Sequence, residues 1–176
     1  MRPFLGLAPP IFVVQKHKAR SLHYDFRLEI NGTLVSWAIP KGPSLSPKDK
    51  RLAIRVGDHS LSYGEFEGRL RAGEHGAGTV IVWDYGRWEP IGDSERGLGL
   101  GELEFLLHGK KLKGKWSLVR FGHKGPKEWL LIKTADDQAS EVDSLIQFPR
   151  SALTERTLEE VDGDPRVPEL RCEDFG

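Results

Sequence analysis

The sequence predicts a mainly β protein: a small antiparallel β-barrel with a few short flanking helices. Three observations predict it. The apolar runs are short and alternate with a period of two, as strands with one buried face do. Turn-forming residues recur between the runs, drawn from 20 glycines and 11 prolines. Many short strands in a chain of 176 residues leave sheet edges that are best managed by closing the sheet on itself.

The elements follow in order. Phe12-Val13-Val14-Gln15-Lys16-His17 forms the first segment, and Lys18-Ala19-Arg20-Ser21 suits a turn. The strand at 23–30, His-Tyr-Asp-Phe-Arg-Leu-Glu-Ile, alternates strictly. Tyr24, Phe26, Leu28 and Ile30 therefore share the core face, and His23, Asp25, Arg27 and Glu29 share the other. Asn31-Gly32 is the strongest two-residue hairpin signal, returning the chain through 33–39 until Pro40-Lys41-Gly42-Pro43 stops it. A polar loop with one helical turn at 47–50 leads to alternation at 51–56. Further strands are predicted at 78–84, 87–90, 102–108, 115–121 and 128–133. Loops fall between them at 73–76, 85–86, 97–101, 110–114 and 122–127. Short helices are predicted at 139–146 and at 153–161, the latter capped by Thr154, and an extended, mobile tail is expected from Asp162. The division is a barrel domain over 1–150 and an acidic C-terminal helix and tail over 151–176.

Composition fits an ordinary soluble chain: 38% hydrophobic, 30% charged, mean hydropathy −0.43. No apolar run approaches the roughly 20 residues of a membrane span, and the first residues are too short for a secretory signal. With Cys172 the lone cysteine, no internal disulfide forms; a cytoplasmic location without membrane contact is the expectation. The net charge of zero conceals a gradient. Residues 1–50 carry 8 Lys/Arg against 3 Asp/Glu, and residues 151–176 carry 3 against 8. A basic N-terminal part favours a polyanionic partner, unless the two ends merely neutralise each other.

The polar row on 23–30 is the main functional clue. If the turn at 18–21 folds the first segment beside the second, His17, His23 and Asp25 converge on one point. Two imidazoles and a carboxylate suit a borderline divalent ion such as Mn²⁺, Zn²⁺ or Fe²⁺ rather than Mg²⁺ or Ca²⁺. Arg27 lies one step further along the row, where a guanidinium can grip phosphate through two parallel hydrogen bonds. Such groupings also arise on solvated strands. In a second cluster, Gly57-Asp58-His59-Ser60-Leu61-Ser62-Tyr63, alternation puts His59 on the face of Arg51, Ala53 and Arg55. His59 is there a candidate general acid or phosphoryl stabiliser, and Tyr63 a donor to the same oxygen. His75 is a weaker candidate, and His108 and His123 receive no role. Gly97-Leu98-Gly99-Leu100-Gly101 reads as a loop, and without a following Gly-Lys-Ser/Thr it is not a phosphate-binding loop. The basic run Lys110-Lys111-Leu112-Lys113-Gly114-Lys115 reads as a solvated hairpin tip.

Several of these stretches together resemble one family. They are Phe12-Val13-Val14-Gln15-Lys16-His17, Leu22-His23-Tyr24-Asp25-Phe26-Arg27-Leu28-Glu29, Ser36-Trp37-Ala38-Ile39-Pro40-Lys41-Gly42-Pro43, Asp58-His59, Tyr63-Gly64-Glu65-Phe66-Glu67-Gly68 and Gly76-Ala77-Gly78-Thr79-Val80-Ile81-Val82-Trp83-Asp84. The family is the 3′-phosphoesterase module of bacterial and archaeal DNA ligase D, here as a freestanding protein. The resemblance runs from about Phe12 to Lys133 and implies a manganese-dependent β-barrel that heals 3′ ends of nucleic acid. Such enzymes remove a 3′-terminal ribonucleotide and then the 3′-phosphate, leaving a 3′-hydroxyl. The resemblance makes His17, His23 and Asp25 the metal ligands. It makes Arg27, His59 and Tyr63 the catalytic phosphate contacts, and Gln15 and Arg51 supporting substrate-binding groups. The implied partners are DNA or RNA–DNA 3′ ends of a primer-template, with a separate DNA ligase, polymerase or Ku acting alongside.

Two departures from the family pattern bear on the ribonuclease step. The longer N-terminal arm with an Arg-Asp-Phe-type motif is not matched in residues 1–11, and Gly57 stands where an acidic residue is common. At this length the ligase and polymerase modules are expected to be absent. The rival reading is a non-catalytic barrel that binds nucleic-acid ends or a ligase, supported by the short N-terminus and by Trp37, Trp83, Trp88, Trp116 and Trp129 as stacking surfaces, although most of these tryptophans are expected to fill the core.

Overall fold

In the computed structural model, residues 10–71, 77–122 and 125–175 are described. The readings at 1–9, at the 73–76 turn with His75, and at His123 lie outside the described residues. The first four strands form an antiparallel meander: β1 (Ile11–Lys18), β2 (Leu22–Ile30), β3 (Thr33–Ile39) and β4 (Arg51–His59). They are followed by β5 (Gly68–Leu70), β6 (Gly78–Ile91), β7 (Glu102–Gly109), β8 (Lys113–Arg120), β9 (Glu128–Lys133) and β10 (Glu169–Leu170). The sheet order is β1-β2-β3-β4-β9-β8-β7-β6-β5-β10, and β1 also pairs with β6. That pairing closes β1, β2, β3, β4, β9, β8, β7 and β6 into an antiparallel barrel. β5 and β10 extend outward from the first residues of β6.

The Asn31-Gly32 turn has positive φ at both residues, 53° and 76°, the mirror-image turn that matches strand twist. It sets the β2–β3 register, so Arg27 lies opposite Ser36 and Asp25 opposite Ala38.

Several local expectations are corrected. The two strands expected at 78–84 and 87–90 are one strand of 14 residues. Gly86 is not a turn: it lets β6 approach β7, where a Cβ would collide with the His108 backbone carbonyl. The glycine string is helical rather than a loop, within α1 (Ser94–Leu100). The Asp93 side chain accepts from the N–H groups of Glu95 and Arg96, and Gly101 closes the helix with φ 84°. Good caps outweigh two poor helix formers. The stretch 47–50 is a turn closed by Asp49 N–H onto Ser46 O at 3.1 Å.

The remaining helices are shorter than expected. α2 (Ser144–Gln147) is capped by Asp143, and α3 (Leu158–Asp162) by a Thr157–Glu160 capping box. Thr154, expected as the cap, instead donates to Glu67 at 3.0 Å. The tail is docked rather than loose. Its β10 runs parallel to β5, and Cys172–Phe175 forms a 3₁₀ turn. The hairpin tip is also not simply solvated: Lys111 Nζ donates to Trp83 O at 2.6 Å and to Arg150 O, above the Trp83 ring. Among the described residues, no helix is long and apolar enough to cross a membrane.

The core is built as alternation dictates. Phe12, Val14, Tyr24, Phe26, Leu28, Ile30, Val35, Trp37 and Ile39 join Trp83, Trp88, Phe105, Trp116 and Trp129 inside the barrel. All five tryptophans are at most 1% exposed, so none offers a stacking platform for bases. Asp84 enters this interior as a buried carboxylate, accepting from the backbone N–H groups of Lys110, Lys111 and Leu112. Burial raises its pKa to about 6, against the pull of those three donors.

The opposite face of β1, β3 and β6 is covered too. Ile11, Val13, Leu34 and Val82 pack there with Leu61 and Leu153. Beside them lie Tyr63, Phe66, Leu70 and Val80 with Leu170 and Phe175. The polar row of β2 therefore sits at the bottom of a walled site rather than on an open strand.

Candidate functional site

The β1–β2 register places His17 directly opposite His23 and Gln15 opposite Asp25. Cross-strand partners project to one side, so all four side chains meet on the outer face of the barrel. His17 Nδ1 is 3.7 Å from Asp25 Oδ2, and His23 Nε2 is 3.3 Å from the same oxygen. One ligand atom from each of His17, His23 and Asp25 lies within 4.8 Å of the others. His17 is 2% exposed, and its Nε2 is buried with no hydrogen-bond partner. An orphaned imidazole nitrogen beside a second imidazole and a carboxylate fits a divalent cation; without one, a buried polar atom goes unsatisfied.

The electrostatics favour the ligating forms of the carboxylate. Burial opposes ionisation of Asp25, but the Arg27 guanidinium and the two imidazoles outweigh it and hold the carboxyl far below the usual range. The hydrogen bond from His23 to Asp25 raises the His23 pKa, with burial working the other way.

Arg27 is the hub. It is 2% exposed, yet its charge is fully engaged. Its Nε donates to Gln15 Oε1 at 2.7 Å, and Nη1 donates to Ser36 Oγ at 2.9 Å and His59 Nδ1 at 3.1 Å. Nη2 stands 3.5 Å from Asp25 Oδ2, and the guanidinium lies over the Tyr63 ring at 4.9 Å. A two-bond grip on phosphate competes with these partners, which leaves Nη2 as the edge turned toward the imidazole–carboxylate cluster. Gln15 extends the network by donating from Nε2 to the backbone carbonyls of Tyr63 and Phe66.

His59 reaches this cluster by a route that simple alternation misses. Arg51 pairs with Leu131 and Ala53 with Trp129, both core residues. Between Val56, opposite Ser36, and His59, opposite Leu34, the register slips by one residue. That bulge moves His59 to the outer face, away from the face of Arg51 and Ala53 on which alternation placed it. A guanidinium can only donate, so His59 Nδ1 accepts from Arg27 and the neutral ring carries its proton on Nε2. Burial first, then the Arg27 charge, push the His59 pKa down to about 4, with the Gly57 backbone pulling upward. Near neutral pH His59 is an uncharged donor through Nε2.

Tyr63 comes from a 3₁₀ turn, Leu61–Glu65, that crosses the outer face. Its ring stacks on His59 at 4.6 Å and 28°. Arg51, by contrast, is not brought to the cluster. It lies at the far end of β4 on the core-facing side, 3.6 Å from Asp49. Ser36 was missed by the sequence reading, although the Asn31-Gly32 register alone sets it opposite Arg27. Phe66, which packs behind Tyr63, had no sequence signal of its own.

Comparison with known proteins agrees with this geometry. The profile described as the DNA Ligase D 3′-phosphoesterase domain matches residues 15–120. The chain is 49% identical over 164 residues to the multifunctional non-homologous end joining protein LigD of Pseudomonas aeruginosa, covering 91% of this chain and 20% of that protein. It is 46% identical over 111 residues to the multifunctional non-homologous end joining DNA repair protein LigD of Mycobacterium tuberculosis, covering 62% and 14%. It is 39% identical over 133 residues to its Mycolicibacterium smegmatis counterpart, covering 72% and 17%. The chain thus spans a fifth or less of the length of these relatives. A closed antiparallel barrel, an outer face bearing the matched histidines, and these identities place the chain in the DNA ligase D 3′-phosphoesterase domain family.

Proposed function

We propose that the protein is a 3′-end-healing phosphoesterase. It removes a 3′-phosphate, and a 3′-terminal ribonucleotide, from DNA or RNA–DNA primer-templates in end-joining repair, upstream of a ligase or polymerase. The observation that carries the reading is the adjacency of the His17–His23–Asp25 cluster to the Arg27 guanidinium on one walled face. A site able to hold a cation beside fixed donors is what a phosphate ester needs: charge neutralisation of its oxygens and a means of activating water.

In this reading His17, His23 and Asp25 hold a divalent ion, manganese by family likeness. When bound, the ion supplies Lewis-acid polarisation of phosphate and of water. The residues do the rest. Arg27 Nη2 offers positive charge to the equatorial oxygens, held in place by Gln15 and Ser36. His59 Nε2–H donates to a phosphate or leaving-group oxygen, and Tyr63 walls the pocket against His59. Gln15 acts by fixing both Arg27 and the turn that carries Tyr63. Arg51 lies too far along β4 to share this cluster and would meet nucleic acid elsewhere along its length. The rival, a non-catalytic end binder, loses its stacking surfaces with the burial of the five tryptophans.

The test is processing of two labelled primer-templates, one ending in a 3′-phosphate and one in a single 3′ ribonucleotide, with manganese or with chelator. Phosphate release only with metal, and its loss in His23→Ala, Asp25→Ala and His59→Ala, supports the reading. Stable binding without turnover in any divalent metal refutes it.

A further inference from the structure

The tail closes over the site in a manner that the matched stretch, residues 15–120, does not contain. Phe175 lies more than a hundred residues from the turn it touches. Its ring meets Tyr63 edge-on at 5.1 Å and 86°, and meets Phe66 at 5.2 Å and 67°. Tyr63 and Phe66 are themselves stacked, and Tyr63 stacks on His59. Phe175 is thus a wedge set across a column of three rings that ends on His59. Its carbonyl accepts from Ser60 Oγ at 2.7 Å and Ser62 Oγ at 3.3 Å, the residues flanking the start of the Tyr63 turn.

The approach of this segment is built rather than casual. β10 pairs in parallel with β5, and Leu170 packs into the Tyr63–Phe66 cluster. Arg69 donates to the carbonyls of Asp162 and Asp164, which fixes the chain where it turns toward β10. The 3₁₀ turn that carries Tyr63 has no side-chain cap of its own. Beyond its backbone bonds and the Gln15 side chain that holds the Tyr63 and Phe66 carbonyls, this five-residue turn takes its position from what packs on it.

We propose that Phe175 is a positioning residue of the phosphoesterase site, holding the Tyr63 ring against His59 so that the His59 donor is aimed at the phosphate. This rests on the functional reading above. It requires no contact between Phe175 and substrate. It assigns the C-terminal 3₁₀ turn to the working site, where the acidic composition of the tail would suggest a mere appendage.

The experiment compares Phe175→Ala, Phe175→Tyr and Leu118→Ala in the full chain, assayed well below their melting temperatures. Leu118 is buried on β8, between β7 and β9 and across the barrel from β2, so its truncation reports destabilisation away from the site and the tail. The expected result for Phe175→Ala is a fall of about tenfold in kcat/KM for 3′-phosphate release, the upper end of what an edge-to-face aromatic contact is worth. Manganese affinity should stay unchanged, the His59 and Tyr63 ring-proton resonances should shift, and Phe175→Tyr should restore both the resonances and the rate. Leu118→Ala should retain the wild-type rate and the His59 and Tyr63 resonances. Unchanged kcat/KM and unchanged ring resonances in Phe175→Ala overturn the proposal while leaving the functional reading intact. An equal rate loss in Leu118→Ala also overturns it, by showing a general effect of destabilisation. A wild-type protein that releases no phosphate refutes the functional reading and this proposal with it.

Discussion

Replacing Arg27 by methionine removes the guanidinium buried beside Asp25. The side chain is 2% exposed and Asp25 is 7% exposed, so neither charge has much recourse to water. Taking away one partner of a buried ion pair typically costs about 3–5 kcal/mol, and the two imidazoles that remain beside Asp25 offset part of it. The hydrogen bonds to Gln15 Oε1 and Ser36 Oγ are lost as well. Ser36 keeps its own bond to the Leu34 carbonyl, whereas Gln15 Oε1 is left in a buried setting without its donor. These penalties overlap, and a total of about 4 kcal/mol is the expected loss. For a chain of this size that is roughly 8–16 °C in Tm. The assay is urea and thermal unfolding in chelator, so that no cation can stand in for the guanidinium. Asp25→Asn, made alone and combined with Arg27→Met, completes a double-mutant cycle. The double variant should be more stable than Arg27→Met alone, because the stranded charge is gone. A loss below about 1 kcal/mol in Arg27→Met, or no coupling in the cycle, would show that the two groups are solvated and refute the hub described here.

Four further outcomes are expected. His59 should titrate near pH 4 by NMR. Its folded pKa lies below the roughly 6.5 of an unfolded imidazole, so the unfolded chain takes up that proton first. Stability should therefore fall as pH drops from about 6.5 toward 4, with a shallower slope in His59→Gln. His17→Ala should weaken manganese binding by at least about tenfold in calorimetry, since it removes one nitrogen donor of three ligands. Gly86→Ala should cost about 1–3 kcal/mol in chemical unfolding, because its Cβ meets rigid β7 backbone. Gly32→Ala, strained only by a φ of 76°, should cost about 1 kcal/mol.

Much of the site was legible because it is local. Strict alternation in 23–30 fixed which residues face outward, and Asn31-Gly32 fixed the register with β3. Together these juxtapose His23, Asp25, Arg27 and Ser36 without reference to distant parts of the chain. The short Lys18-Ala19-Arg20-Ser21 connection does the same for His17 and Gln15. Helix boundaries were less legible. The decisive signals are single capping side chains, Asp93, Asp143 and Thr157, and Thr154 offers an equally plausible hydroxyl whose actual partner is Glu67, 87 residues away.

The sequence by itself determined the barrel class, the β1–β2–β3 ribbon and the cluster of His17, His23 and Asp25. Period-two patterning and turn chemistry act between neighbours, and those are written in consecutive residues. Only the tertiary structure decided that His59 crosses to the outer face through a bulge, that Arg51 stays on the other side, and that the polar row is walled in. A bulge has no fixed residue signature, and closing the barrel sets which strands meet. The contacts that shape the pocket, from Gln15 to the Tyr63 turn and from Phe175 to Tyr63, join segments far apart along the chain. Their cost in chain entropy is met by packing that exists only once the whole fold is formed.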